Sequence, residues 1–189
     1  MSAGLLVNVA FYGLIFVFSL YFQRLNGLSP FATGLAFLPM MAAVLPVNLA
    51  AARLAERIGA PATIAGGAAA AALGCLALLG IEQGTRYAAI FAQLVVIGAG
   101  LGLLVPPLTS TLLRSVEKSR SGLAAGVLNS TRQTGSVLGV ALFGSLIGRT
   151  GAFIGGAHLA LIISAGLLLV AAASILSARL FEEVPANGR

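Results

Sequence analysis

Six stretches of this chain, each 20 residues or longer, hold a single ionised side chain between them. They run at about 4–23, 31–52, 61–81, 87–112, 122–148 and 157–178, and the lone charge is Arg132. About 20 mostly apolar residues are what an α-helix needs to cross the hydrocarbon core of a bilayer. Within lipid, only helices and closed barrels satisfy every backbone polar group. The pattern therefore predicts an all-α membrane protein: six transmembrane helices in a single domain, 1–189, closing on a short tail, 179–189. The first run, Leu5 to Phe22, has no basic segment before it and no small-residue cleavage site after it, so it is expected to be a retained span.

The net charge of +6 does not point to nucleic acid, because the basic residues sit in short clusters between the apolar runs. Those clusters report topology instead. Six spans put both termini on one side, with the second-third and fourth-fifth links. That side carries Arg53, Arg57, Arg114, Lys118, Arg120, Arg179 and Arg189, against Arg24, Arg86 and Arg149 on the other. The excess of positive charge predicts that both termini are cytoplasmic. Ten Arg against one Lys, with many Ala and Gly, suggest a GC-rich coding sequence, and the expected location is the bacterial inner membrane, as a multi-pass protein. Cys75, the only cysteine, is read as a small core residue.

The links between spans carry turn chemistry. Asn26-Gly27 precedes Ser29-Pro30, an N-cap followed by a first helical residue, and Gly59-Ala60-Pro61 opens span three. Pro39 and Pro46 predict a kink in span two, and Gly98, Gly100 and Gly102 before Pro106-Pro107 predict a thin, bent span four. The segment Ala52 to Gly59 is expected to be a solvated loop, with Glu56 and Arg57 free for capping or pairing. Spans three and six are bland and should be peripheral or tightly packed.

Polar residues inside the spans are the candidates for function. Asn8 and Tyr12 share one face of span one, with Ser19, and that face should look inward. Gln93 lies near the outer end of span four. On span five, Asn129, Arg132, Gln133 and Ser136 recur at i, i+3, i+4 and i+7 and form one stripe. The stripe either lines a water-filled cavity or, since 27 residues exceed the bilayer core, stands in the interface where Arg132 can snorkel. Three small-xxx-small pairs on the same span, Gly122 with Gly126, Gly135 with Gly139 and Gly144 with Gly148, are candidates for close helix packing. His158, the only histidine, is read as interfacial, with a proton relay as the alternative. No phosphate loop, ligand cluster or nucleophile-base pair lies in the spans, so no enzyme chemistry, metal or cofactor is expected.

Three segments, "LYFQRLNGLSPFATGLAFLP", "ARLAERIG" and "SGLAAGVLNSTRQTGSVLGVALFG", together resemble the last six helices of major facilitator superfamily transporters. The similarity is greatest to the fourteen-helix drug:proton antiporter, or multidrug-efflux, branch. Its "GxLADRxG" segment is matched by Leu54, Ala55, Arg57 and Gly59, with Glu56 for the aspartate and Ala52 for the first glycine. Its "RQxGxxxGxA" span is matched by Arg132, Gln133, Gly135, Gly139 and Ala141. The resemblance implies a six-helix half built as a 3+3 inverted repeat, in which spans one and four line a cavity, two and five flank it, and three and six are peripheral. It makes Glu56, Arg57 and Gly59 candidates for gating. It implies export of amphipathic or cationic compounds by proton antiport and alternating access, with the lipid bilayer and a second six-helix half, on a separate chain or another copy, as partners. Since no span here contains Asp or Glu, the proton-carrying acid would lie in an absent half or on a partner, or nowhere. The alternative is a non-transporting remnant, or an assembly partner held by its small-residue faces.

Overall fold

The computed structural model describes residues 2–82, 85–114, 116–117, 120–149 and 153–182. Among them are seven α-helices: α1 (Ser2–Leu20), α2 (Pro30–Ala36), α3 (Leu38–Ile58), α4 (Ala60–Ala77), α5 (Tyr87–Arg114), α6 (Ser121–Arg149) and α7 (Phe153–Glu182). A π-helical turn, Tyr21–Leu25, continues α1, and a 3-10 turn, Leu78–Gly80, continues α4. With α2 and α3 forming one interrupted rod, five rods are long and apolar enough to cross a membrane. The sixth, α6, has the length, at 29 residues, but its run of polar side chains leaves it outside that set.

Proline and glycine punctuate the chain as their chemistry requires. Gly27 takes a left-handed φ of 65° in the first link, and the Ser29 side chain caps α2 by accepting from the Ala32 N–H, with Pro30 as the first helical residue. The second span breaks between Ala36 and Leu38, where Pro39 has no N–H for the Leu35 carbonyl and Phe37 N–H turns to Gly34 O at 3.2 Å. Pro46 stays inside α3, and α5 runs unbroken through Pro106 and Pro107.

Two expectations are corrected. The segment 52–58 is not a loop: α3 continues to Ile58, and Gly59 alone, at φ 90°, links it to α4. Glu56 and Arg57 are exposed on the last turn of α3, where the i to i−4 ladder of a strong helix former such as "ARLAERI" persists. Likewise α7 extends to Glu182, so the first residues of the expected tail are helical; 183–189 and Lys118 lie outside the described residues.

The helices assemble as two groups of three. One holds α1, α6 and α7, the other holds α3, α4 and α5, and they meet where α4 packs on α7. The blandness of α4 follows from its central position, with Thr63, Ile64, Ala68, Ala71, Ala72 and Cys75 all buried. At one end, three side chains tie different helices to backbone carbonyls. Tyr21 Oη donates to Glu82 O (3.0 Å), His158 Nε2 to Ile81 O (2.9 Å) and Tyr87 Oη to Ala36 O (2.9 Å). His158 is thus a structural link in this fold.

Glycine decides how near the helices come. A Cβ at Gly139 would collide with the Val9 carbonyl on α1, and one at Gly135 would stand 2.7 Å from Asn8 Cβ. On α5, Gly98 abuts the Met40 carbonyl of α3, and Gly100 sits 2.6 Å from Gly67 O of α4 by the same measure. By contrast Gly122, Gly126 and Gly148 face open space, and Gly144 makes only ordinary contact with the Phe16 ring. Gly139→Val should therefore cost about 3 kcal/mol or more in stability, whereas Gly122→Val should stay within about 0.5 kcal/mol. Denaturant unfolding of the two variants in detergent checks this, and equal losses would contradict it.

Candidate substrate cleft

Four helices enclose a cleft of about 270 Å³. α1 contributes Gly4, Val7, Asn8, Phe11 and Tyr12; α3 contributes Met41, Val44 and Asn48; α5 contributes Leu101, Val105, Leu108 and Thr109; α6 contributes Leu128 and Arg132. Neither α4 nor α7 reaches it. The close approaches of Gly135 to Asn8, and of Gly102 to Val44 and Val47, set its width. Asn8 and Tyr12 come forward because they stand one turn apart on α1. Asn8 Nδ2 is held back on the Gly4 carbonyl at 2.6 Å.

Arg132 occupies the junction between this cleft and a more open groove along α6, lined by Tyr12, Asn129, Arg132, Gln133, Ser136, Val137, Val140 and Ala141. Its Nη2 donates to Thr109 Oγ1 at 3.0 Å. Helical side chains lean toward their own N-terminus, so the guanidinium reaches back toward the α5–α6 link, about 8 Å from the end of α5. Insertion of an arginine costs at least ~2.5 kcal/mol. A hydrogen bond to a charged group returns about 1.5–3 kcal/mol, so Thr109 and an open cleft suffice to hold the charge.

Of the remaining candidates, Asn129, Gln133 and Ser136 line the groove only, and Ser136 Oγ donates to Gln133 O at 2.8 Å. Gln93 lines neither, and its buried Oε1 has no partner. Ser19 also stands apart, accepting from Gln23 Nε2 at 2.9 Å. Sequence reasoning missed Asn48 and Thr109. The signal for Asn48 was available: it is the one amide in a 29-residue apolar span, where a polar side chain seldom stands without a task. Its Oδ1 is buried and unpartnered. Nothing in the sequence marks Thr109 as the partner of a residue 23 positions later.

Cleft residues come from the first, second, fourth and fifth spans, with a polar cluster on an otherwise apolar wall. The profile described as Major Facilitator Superfamily matches residues 1–189. The chain belongs to that superfamily. Membership places it among membrane transporters and not among enzymes. Similar curated proteins include Multidrug resistance protein Stp of Mycobacterium tuberculosis, 33% identical over 75% of this chain and 26% of the relative. Two proteins named Methylenomycin A resistance protein are also similar. The one from Streptomyces coelicolor is 31% identical over 78% of this chain and 31% of the relative. The one from Bacillus subtilis is 30% identical over 89% of this chain and 36% of the relative. The chain thus spans between 26% and 36% of the length of these three relatives.

A cleft open to water should be reachable by a water-soluble thiol reagent. Cysteines placed at Asn48 and Thr109 should react roughly tenfold or more faster than Cys75 or a cysteine at Ser164, both buried away from the cleft. Methanethiosulfonate labelling of the membrane-embedded protein, with Cys75→Ser as background for the new sites, measures the difference; equal rates would close the cleft.

Proposed function

We propose that this chain forms the C-terminal six-helix half of a multidrug-efflux transporter, exporting amphipathic or cationic compounds by proton antiport and alternating access. The observation that carries this reading is the cleft itself: four helices bring Asn8, Tyr12, Asn48, Thr109 and Arg132 to one apolar-walled cavity. The drug-resistance names of the relatives support the efflux class. The chain covers only part of them, and it supplies half a cavity, so a second six-helix half is the partner that completes the site. Because the six apolar runs of the sequence contain no Asp or Glu, and Glu56 stands exposed on the last turn of α3, the proton carrier is assigned to that half.

Exchanging spans one, two and three for four, five and six maps the helix contacts onto themselves: α1 on α6 becomes α5 on α3, α1 on α7 becomes α5 on α4, and α6 on α7 becomes α3 on α4. Both main pairs use a Gly-x-x-x-Gly face, Gly135 with Gly139 and Gly98 with Gly102. This correspondence supports a 3+3 inverted repeat. The seven-to-three distribution of basic residues supports both termini being cytoplasmic, and the bacterial sources of the relatives support a bacterial inner membrane. Glu56, Arg57 and Gly59, at the one-residue turn between α3 and α4, remain the gating candidates.

Filling the cleft tests the reading. In the full-length transporter, Val105→Trp should cut ethidium efflux under an imposed pH gradient by roughly ten- to hundredfold, the equivalent of about 1–3 kcal/mol of overpacking. Leu169→Trp, exposed on α7 away from the cleft, should leave efflux unchanged at equal protein in the membrane. Unimpaired efflux by the Val105 variant would remove the cleft as the route.

A further inference from the structure

We propose that Arg132 is the docking point for the carboxylate of an amphipathic, monoanionic substrate, with Asn48 accepting a hydrogen bond from an adjacent N–H or O–H of the same molecule. This rests on the reading of the cleft as a substrate site and names the chemistry that its Arg132 pole recognises.

Three observations carry it. First, no described residue lining the cleft or the groove is acidic, so Arg132 has no counter-charge among them. Its bond to Thr109 uses one N–H of a planar group that carries five, and a fork of that geometry suits a carboxylate. Second, Asn48 Oδ1 is a buried acceptor without a donor. Buried acceptors are almost always paired in a working protein, so an incoming N–H or O–H fits this position. Asn8 makes no such demand through its amide nitrogen, which the Gly4 carbonyl accepts. Third, the walls between these points are Val7, Phe11, Val44, Leu101, Val105 and Leu108, which suit an apolar body.

The charge count narrows the ligand. One guanidinium neutralises one negative charge; a phosphate monoester would bring more than one and leave the excess unmatched by this lining. An ammonium or quaternary amine would meet repulsion at the Arg132 pole and, with no carboxylate among the described lining residues, would place its charge at the far side of the cleft or against the second half. A cationic group on a substrate, as in a zwitterion, would have to reach beyond these residues.

Three compounds of one skeleton test the assignment: radiolabelled 4-phenylbutyrate, 4-phenylbutanol and 4-phenylbutylamine, bound at equilibrium to the purified full-length transporter. Wild-type protein should prefer the acid to the alcohol. Arg132→Gln should weaken 4-phenylbutyrate roughly ten- to hundredfold, the scale of a charge-assisted hydrogen bond, leave 4-phenylbutanol within about threefold, and bind 4-phenylbutylamine as well as before or more tightly, since the like charge is gone. Arg132→Lys should restore part of the preference, since it keeps the charge and loses the fork. Equal weakening of all three compounds would make Arg132 a structural residue and overturn the proposal. So would a wild type without preference for the acid, the result expected if a carboxylate of the second half already occupies Arg132. Ethidium efflux assayed on the same variants separates the two ideas. Efflux without an acid preference removes only the docking assignment. An Arg132-dependent acid preference without any efflux removes only the exporter.

Discussion

Helices dissolved in hydrocarbon gain little by hiding apolar side chains from one another, because lipid is as apolar as leucine. What remains is the approach of backbone to backbone, and that requires residues without bulk. Here the requirement is met at two crossings of the same kind. α6 lays Gly135 and Gly139 on α1, and α5 lays Gly98 and Gly102 on α3. The polar residues of the cleft lie within a turn or two of these contacts: Asn8 beside Gly135, Arg132 one turn before it, and Asn48 one turn after Val44, whose carbonyl meets Gly102. The same contacts that hold the bundle together therefore fix the separation of the groups facing the cleft. A Cβ at Gly139 would disturb stability and site geometry together.

Much of this was legible in the sequence, because hydropathy and turn chemistry act locally. Six charge-poor runs marked the rods; Ser29-Pro30 and Gly59 marked where helices begin; Pro39 marked the break in the second span. The stripe on α6 was visible from its spacing. What spacing could not reveal was which side of each stripe meets another helix. Gly122 and Gly126 repeat the pattern of Gly135 and Gly139, yet they face open space, because only the middle of α6 crosses α1. Gln93 has the composition of a cavity residue but stands at the wrong height on α5. Asn48 and Thr109 became site residues only when tertiary packing brought the second and fourth spans to Arg132. The charges of "ARLAERI" suggest a loop, yet its residues are strong helix formers and nothing before Gly59 stops α3.

The two ends of the bundle are built differently. At one end the Tyr21, Tyr87 and His158 side chains bond the carbonyls of Glu82, Ala36 and Ile81, and so join five of the six rods without involving a charged side chain. At the other, Gly4 of α1 shares a second cleft with Leu112, Val116, Arg120 and Leu123, and the contact between α5 and α6 is slight. Side-chain bonds to backbone carbonyls are directional and resist separation more than apolar contacts between leucines. The tied end is therefore the stiffer one. Arg132 leans toward the looser end and takes a hydroxyl, not a carboxylate, as its partner. That choice leaves its charge uncompensated among the described residues, at the end where α5 and α6 touch least.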